Sequence, residues 1–592
     1  MTTRPELRTA MRSDLCGDLR ASDAGREVAL CGWVAHRRDH GGVTFIDLRD
    51  REGVVQVVFH PQDAPDAHAA AQELRSEWVV RVTGAVRLRP QGMANLNLGT
   101  GDVEVVADAL EVLGRAETPP FVIEDRIEAD ELLRLEYRYL DLRRPEMTKA
   151  LRLRHQVNHL MREHMDALGF VEVETPILTR STPEGARDFL VPSRLQPGHF
   201  YALPQSPQQL KQLLMVAGQD RYYQLVRCLR DENPRADRGF EFTQLDVEMS
   251  FVDEDDIVAV IEPLYARIIR ETQGVEVPVP FPRMTYDEMM RRFGSDKPDL
   301  RYGMELATLT DLFEGSAFNA FAKVAADGGT IKGLAAPGGA ALSRKELDKL
   351  VEDTKGRGAA GLVWLVVEGG GVRSPVEKFL SAEEIAGVLE RTGAGEGDLV
   401  CVVADRADRA NVALDGLRRD LAARLDLVPE GVWSFCWYVE PPLFEWSDDE
   451  DKWVSNHHPF TAPLTEDLDP ATAKARAYDL TLNGFEIGGG SIRIHRPELQ
   501  ERVFEVLGLT HEQIQEQFGH LLRAFRFGAP PHGGIAMGVD RLVMLLAGKD
   551  SLRDVTAFPK AQSGADPLTG APAVVDAAQL AELSIAVLAP KE

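Results

Sequence analysis

Cysteine is scarce: five in 592 residues (Cys16, Cys31, Cys228, Cys401, Cys436), with no C-x-x-C pair and no close doublet. That excludes a disulfide framework and gives no zinc knuckle, and it points to a reducing compartment. Positive charge is also in deficit, 67 Lys plus Arg against 94 Asp plus Glu, a net charge of −27. A wholly basic nucleic-acid binder is therefore excluded. Any nucleic-acid contact must come from a local patch, because the acidic whole repels phosphate beyond a Debye length of about 8 Å. No stretch approaches the roughly 18 apolar residues of a membrane span, and the segment from Met1 to Leu15 has no apolar core of a secretory signal. Also missing is a G-x-x-x-x-G-K-[ST] run, so phosphate, if handled, must be handled by arginines and a metal. These absences predict a cytoplasmic chain with no membrane and no DNA partner, long enough for about three to five domains.

What is present organises itself along the chain. Short β-rich runs at Val28–Val34, Val43–Leu48, Val54–Phe59, Val79–Val86 and Val103–Val106 predict a small closed barrel within 1–113. Residues 114–147, with Pro119, Pro120 and Pro145 among many charges, read as a hinge. From Thr148 the residues Leu153, Val157, Leu160, Met161, Met165 and Leu168 recur at three and four, an amphipathic helix ending at Gly169. Leu245, Val247, Met249 and Phe251 alternate with Gln244, Asp246, Glu248 and Ser250, the period of a half-buried strand. Residues 148–290 and 425–592 thus read as two parts of one α+β body. Between them, 291–424 changes composition, with a helix near 382–392 and strands at Leu362–Val367 and Leu399–Val403, and reads as an inserted domain.

Five segments carry chemistry. In Asp479-Leu480-Thr481-Leu482-Asn483-Gly484-Phe485-Glu486 the Asn-Gly predicts a two-residue hairpin loop pairing Leu482 with Phe485 and Thr481 with Glu486. Asp479 and Glu486 then share a face, either as a pair able to hold Mg²⁺ beside substrate phosphates or as solvated carboxylates. The adjoining Gly488-Gly489-Gly490 allows close backbone approach or a bulge that re-aims Arg493. In Gly538-Val539-Asp540-Arg541, Asp540 reads as the N-cap of a buried helix. Arg541 in that first turn needs an anion, a protein carboxylate or a nucleotide phosphate. Arg227, Arg230, Arg235 and Arg238 fall within twelve residues of a Pro-containing loop that either handles an anion or is a solvated charged loop. Gln208 and Lys211 lie three apart on one helical face after Gln205-Ser206-Pro207. His457-His458-Pro459 adds paired imidazoles, structural unless a third ligand joins them.

Together these segments resemble the class II aminoacyl-tRNA synthetases, and within them the bacterial-type aspartyl-tRNA synthetases, over essentially the whole chain. Gly169-Phe170-Val171-Glu172-Val173-Glu174-Thr175-Pro176 looks like motif 1, Arg230-Asp231-Glu232 through Phe242-Thr243-Gln244 like motif 2, and Gly538-Val539-Asp540-Arg541 like motif 3. The resemblance implies an α+β multidomain fold: an N-terminal OB-fold β-barrel, an antiparallel-sheet catalytic domain, and an inserted α+β GAD domain. It implies attachment of L-aspartate to tRNA through an aspartyl-adenylate, with ATP as substrate, Mg²⁺ as cofactor, and a homodimer with Pro176 near the interface.

By the family pattern Arg230 contacts the α-phosphate and the amino acid, with Asp231 beside it. Glu232 takes the adenine side, Arg541 with Gly538, Val539 and Asp540 the nucleotide, and Asp479 with Glu486 the metal. Lys211, Arg493 and His457 match positions around the aspartate side chain; Glu184, Ser206 and Gln208 match positions near its ammonium and the pocket wall. Asparagine would be rejected because an amide leaves Lys211 and Arg493 without a counter-charge. Phe45, Gln56 and Arg38 match tRNA-reading positions of the barrel. His40 and Gly92 match positions carried by enzymes that charge both tRNA(Asp) and tRNA(Asn), the alternatives being a strictly discriminating enzyme or a non-catalytic tRNA-binding relative. Gly239, Asn233-Pro234 and His36 depart from the pattern, Gly239 by removing a side chain that usually touches ATP.

Overall fold

The computed structural model describes residues 9–181, 185–448 and 450–588, which divide into two compact units. The first comprises the chain to Arg154 together with 234–236 and 549–574; the second holds the rest.

In the first unit the five β-rich runs close a barrel. Its strands are β1 (Glu27–His40), β2 (Val43–Arg49), β3 (Val54–Phe59), β4 (Val79–Leu88) and β5 (Val103–Gly114), in the order β1-β2-β3-β5-β4. Alternation puts Val28, Leu30, Val34, Ile46, Leu48, Val55, Val57, Val80, Val82 and Val105 into one apolar core, leaving the intervening side chains on the outer face. β4 and β5 can close on each other because Gly84 has no side chain: a Cβ there would lie 2.0 Å from Val106 O. The segment read as a hinge is more ordered than its prolines and charges imply. It contains helices Glu131–Glu136 and Arg138–Asp141, and the buried Arg138 donates to the carbonyls of Arg553, Thr556 and Ala557. The amphipathic helix runs Pro145–Ala167, followed by Gly169 at φ +76°.

The second unit is built on one eight-stranded sheet. Before the insert it contains β6 (Val171–Glu172), a separate hairpin β7 (Leu190–Pro192) and β8 (Phe200–Ala202), then β9 (Arg221–Leu229), β10 (Glu241–Ser250) and β11 (Arg283–Thr285). The insert has its own antiparallel sheet, β12 (Ala307–Thr308), β13 (Thr330–Ala336), β14 (Val363–Glu368), β15 (Gly371–Arg373) and β16 (Leu399–Asp405), ordered β12-β13-β16-β14-β15. Its strands alternate between two apolar cores. Leu334, Val366, Cys401 and Val403 meet helices Arg344–Gly356 and Ala407–Arg424, while Ile331, Leu365, Val400 and Val402 meet helices Asn319–Ala326 and Ala382–Thr392. After it come β17 (Phe435–Val439), a hairpin β18 (Phe444–Ser447) and β19 (Lys452–Ser455), then β20 (Ala477–Leu482), β21 (Phe485–Ile492) and β22 (His532–Gly538). The large sheet runs β11-β17-β20-β21-β22-β10-β9-β6, antiparallel except at its ends, where β11 pairs with β17 and β6 with β9 in parallel. No described helix is long and apolar enough to cross a membrane.

Candidate active site

The central strand β10 departs from its alternation. Leu245, Val247 and Met249 are buried as expected, but Asp246 and Glu248 on the opposite face are buried as well. A half-buried strand would show those carboxylates to water. Here that face is covered by helix Gln208–Val216, which brings down Lys211, and by Arg493, just past β21. Lys211 Nζ donates to Asp246 Oδ1 at 3.0 Å and lies 3.3 Å from Glu248 Oε2. Arg493 grips Glu248 with both Nε (2.9 Å) and Nη2 (3.1 Å), and its Nη1 donates to Ser491 Oγ (2.6 Å) and His458 Nε2 (2.8 Å).

Two cations and two carboxylates thus share one water-poor floor. The expectation that Lys211 and Arg493 lack protein counter-charges is therefore corrected: each has one, because a bare buried cation costs several kcal/mol, of which only a partner in place before substrate arrives can relieve most. Burial would push Glu248 up, but Arg493 and Lys211 prevail and hold it down at about 2. Asp246, relieved mainly by Lys211 alone, is left raised by its burial. His458 accepts from Arg493 and so is neutral; burial, then Arg493, keep it well below the usual imidazole range. His457 is held at about 4 by burial and Arg493; its Nε2 meets Tyr438 Oη at 3.1 Å and its Nδ1 stands 3.8 Å from Asp479 Oδ1.

The hairpin carrying Asp479 and Glu486 folds as its Asn-Gly predicts, with Leu482 opposite Phe485 and Thr481 opposite Glu486. The register then shifts: Leu480 pairs with Gly488 and Asp479 with Gly489. This bulge comes beside the triple glycine. At Gly489 a Cβ would stand 2.2 Å from Asp479 Oδ1, so glycine is what leaves the carboxylate its space. Asp479 is buried, and among the described residues its Oδ1 has no hydrogen-bond partner. Burial, then the charges of Glu486 and Asp296, push its carboxyl well above the ordinary range. A divalent cation would relieve both penalties at once. Among the described residues no group of three His, Cys, Asp or Glu forms a metal cage, so an ion here would lean on ligand oxygens, as Mg²⁺ commonly does.

Motif 3 places Arg541 at the same edge. β22 ends at Gly538, which pairs with Gln244 of β10, and the buried Val539 opens helix Val539–Leu546. Asp540 is not the N-cap as read from sequence; Gly538 is, and the Asp540 carboxylate inside the first turn accepts Thr243 N–H at 2.6 Å, fastening helix to β10. Arg541 Nη1 donates to Glu486 O, Nη2 reaches Asp237 at 3.4 Å, and its buried Nε has no partner among the described residues.

In the motif 2 loop Arg230 follows β9 directly, its N–H donating to Phe240 O and its guanidinium lying 5.1 Å over the Phe242 ring. Among the described residues it meets no carboxylate. Its loop neighbours do pair: Glu232 with Arg238 (3.1 Å) and Arg227 with Glu241 (2.7 Å). Asp231 bridges to Arg187 through its N–H. Around Gly239 a Cβ would meet nothing closer than 3.6 Å, so the departure there is one of missing reach, not of crowding. Ser206 Oγ accepts from Gln208 N–H, and the buried Gln208 Nε2 has no hydrogen-bond partner among the described residues. Glu184 lies outside the described residues.

On the barrel, Arg38 pairs in register with Phe45, and Asp47 with Gln56. Phe45 is half-buried on the outer face rather than in the core. Arg38 reaches Asp47 at 3.0 Å and Gln56 Oε1 at 3.5 Å, while Gln56 Nε2 donates to Glu104 at 2.7 Å. His40 ends β1 and Gly92 sits in a turn at φ +83°, both exposed.

Sequence reasoning missed Asp246, Glu248 and His458 as members of the site. The signal was available in the pairing of charges: a lysine and an arginine on apolar elements need two acids, and β10 carries two acids between the apolar residues of its run.

A profile described as tRNA synthetases class II (D, K and N) matches residues 130–562, and one described as an OB-fold nucleic acid binding domain matches 28–113. A protein of Moorella thermoacetica named Aspartate--tRNA(Asp/Asn) ligase is 54% identical, covering 98% of this chain and 97% of that protein. One of the same name from Thermoanaerobacter sp. is 50% identical, covering 98% and 99%. Among solved structures, asparaginyl-tRNA synthetase from Pyrococcus horikoshii complexed with asparaginyl-adenylate shares the fold with a TM-score of 0.58 at 21% identity, over 92% of this chain and 97% of that one. Aspartyl tRNA synthetase from Entamoeba histolytica does so with a TM-score of 0.57 at 19% identity, over 94% and 93%.

Proposed function

The chain belongs to the class II tRNA synthetases of the D, K and N group, and from that membership we propose that it attaches L-aspartate to tRNA(Asp) and tRNA(Asn) through an aspartyl-adenylate. The aspartate α-carboxylate attacks the α-phosphate of ATP, pyrophosphate leaves, and the terminal ribose 3′-hydroxyl of tRNA then takes the aspartyl group. No covalent enzyme intermediate is needed, so catalysis is alignment and charge neutralisation.

The observation that carries this reading is a set of buried polar atoms with no hydrogen-bond partner among the described residues: Gln208 Nε2, Asp246 Oδ2, Asp479 Oδ1 and Arg541 Nε. Each costs about 1–3 kcal/mol if left unsatisfied, and all four belong to residues around the floor just described. Arg230, which meets no carboxylate among the described residues, would meet the α-phosphate, Arg541 the γ-phosphate and Glu232 the adenine side, with Asp231, Gly538, Val539 and Asp540 shaping the nucleotide's surroundings. Asp479 and Glu486 would hold Mg²⁺, which when bound neutralises phosphate charge.

Aspartate would sit on the charged floor with His457, Ser206 and Gln208 around it. Lys211 has three N–H groups and Arg493 five; among the described residues Lys211 donates one to Asp246, with Glu248 3.3 Å away, and Arg493 donates four, so each keeps a donor to spare. A carboxylate can accept both, whereas a carboxamide turns one NH₂ donor toward a donor. This pairing mismatch replaces the unpaired-charge argument as the reason asparagine is refused.

The outer face of the barrel, with Phe45 free to stack a base and Arg38 and Gln56 beside it, supports anticodon reading there. The 1–113, 114–147, 148–290, 291–424 and 425–592 division is the domain arrangement we propose with it. Exposed Val171, Ile177 and Leu178 beside motif 1 supply apolar area for a homodimer contact. His40 and Gly92 support charging of both tRNA species. Aspartylation of purified tRNA(Asp) and tRNA(Asn) tests this: both should be charged. No exchange of pyrophosphate into ATP with aspartate would reject the enzyme, and charging of tRNA(Asp) alone would reject the dual specificity.

A further inference from the structure

The hairpin that carries Asp479 and Glu486 is held at its tip by both connections of the inserted segment. Asn483 and Gly484 form that tip with φ of +51° and +85°, the left-handed pair that a tight hairpin turn requires. The turn itself needs nothing from the Asn483 side chain, which is spent elsewhere. Its Oδ1 accepts Ser434 N–H at 2.8 Å, its Nδ2 donates to Val432 O at 3.0 Å, and its backbone N–H donates to Ser434 O at 3.0 Å. Residues 432–434 are the return connection from the insert into β17. On the other side, a Cβ at Gly484 would come 3.1 Å from the Cβ of Asp299, on the outgoing connection.

That outgoing connection is in turn pinned to the insert. Arg418, fully buried in helix Ala407–Arg424, donates to the carbonyls of Asp299 (2.5 Å), Gly303 (2.6 and 3.0 Å) and Met304 (3.2 Å). Its guanidinium also lies 5.0 Å over the Phe293 ring and 4.5 Å over the Tyr302 ring. The same connection brings Asp296 and Lys297 within electrostatic reach of Asp479. A chain of contacts therefore runs from a helix of the insert, through residues 299–304, to the close approach of Asp299 to Gly484 in the turn between the two candidate metal carboxylates.

We propose that Asn483 and Arg418 are positioning residues for adenylate formation: the seating of the inserted segment, transmitted through the Asn483–Gly484 turn, sets the placement of Asp479 and Glu486 and thereby the use of Mg²⁺ and ATP. The proposal rests on the function given above and adds a task for the insert within it.

The test is ATP–pyrophosphate exchange by the full-length protein, titrating Mg²⁺ and ATP at saturating aspartate, then aspartate at saturating Mg²⁺ and ATP, beside calorimetric titration of ATP at fixed Mg²⁺ into the protein without aspartate, where the ATP Kd should rise in the variants too. Exchange by the wild type is required first; its absence overturns the function, not merely the coupling. Asn483→Gly keeps the turn's backbone freedom and removes both side-chain bonds, and it should raise half-saturating Mg²⁺ and the ATP KM about tenfold, since small misplacements of catalytic groups cost rate steeply. The aspartate KM should stay within about twofold, because the Lys211 and Arg493 floor is untouched. Arg418→Lys, which keeps the charge and loses the fork, should move the same two constants in the same direction; if Asn483→Gly does not fold, this variant decides alone. Mg²⁺ and ATP constants at wild-type values in the folded variants, or an aspartate KM rising in proportion, would overturn the proposal.

Discussion

Gly489 and Asp479 face each other across β20 and β21, and a Cβ at position 489 would come within 2.2 Å of the Asp479 carboxylate. Gly489→Ala therefore displaces Asp479 without touching any charge. Exchange activity should fall about 100-fold, partly recoverable by raising Mg²⁺. Far-ultraviolet circular dichroism should stay unchanged, and an active enzyme with ordinary Mg²⁺ demand would show that Asp479 does not need that space.

Arg493 and Glu248 form a bidentate pair in the floor of the site, so removing Arg493 leaves the buried Glu248 with Lys211, 3.3 Å away, shared with Asp246. Arg493→Leu should abolish aspartate activation and also lower stability by about 3–5 kcal/mol, the cost of an uncompensated buried charge. Adding Glu248→Leu should return most of that stability and none of the activity. Urea unfolding of the two variants, beside pyrophosphate exchange, separates the two effects.

His458 supplies a pH dependence with a definite sign. Its imidazole is neutral in the folded chain and pushed well below its ordinary value by burial, so the unfolded chain binds the extra proton first as pH falls. Stability should accordingly drop as pH falls below about 6.5, by at most about 1.4 kcal/mol per pH unit for this group. His458→Gln, which retains an acceptor for Arg493, should flatten that slope between pH 6.5 and 5 in thermal melts.

Phe45 offers its ring on the barrel's outer face, remote in sequence from every motif of the second unit. Phe45→Ala should raise the KM for tRNA by the equivalent of about 1–3 kcal/mol, the worth of one stacked base, and leave pyrophosphate exchange without tRNA unaltered. A fall in exchange would mean that the side chain supports the barrel rather than reading RNA.

Legibility in the sequence followed the range of the forces involved. The barrel strands, the helix ending near Gly169 and the Asn483–Gly484 hairpin are local patterns, and each stands where its periodicity or turn chemistry put it. The burial of Asp246 and Glu248 was not legible because alternation describes a strand with one covered face, and only tertiary packing of helix Gln208–Val216 and Arg493 covers the second. Asp540 failed as an N-cap for a related reason: Gly538 leaves β22 and enters the helix at once, so the carboxylate one step further in serves β10 instead. Within 114–147 the burial of Arg138 was not legible either, because its partners Arg553, Thr556 and Ala557 lie near the far end of the chain.

Strands β11 and β17 lie side by side in the large sheet although the whole inserted segment separates them along the chain. Closing so long a loop costs entropy that grows with its length, and contacts of that span form late. A prefolded insert shortens the effective loop to the gap between its own two ends, so the sheet's outer edge would zip only after the insert has matured. During synthesis this makes the insert a scaffold for its host, and a substitution that slows its own folding would delay completion of the sheet even where no active-site atom has moved.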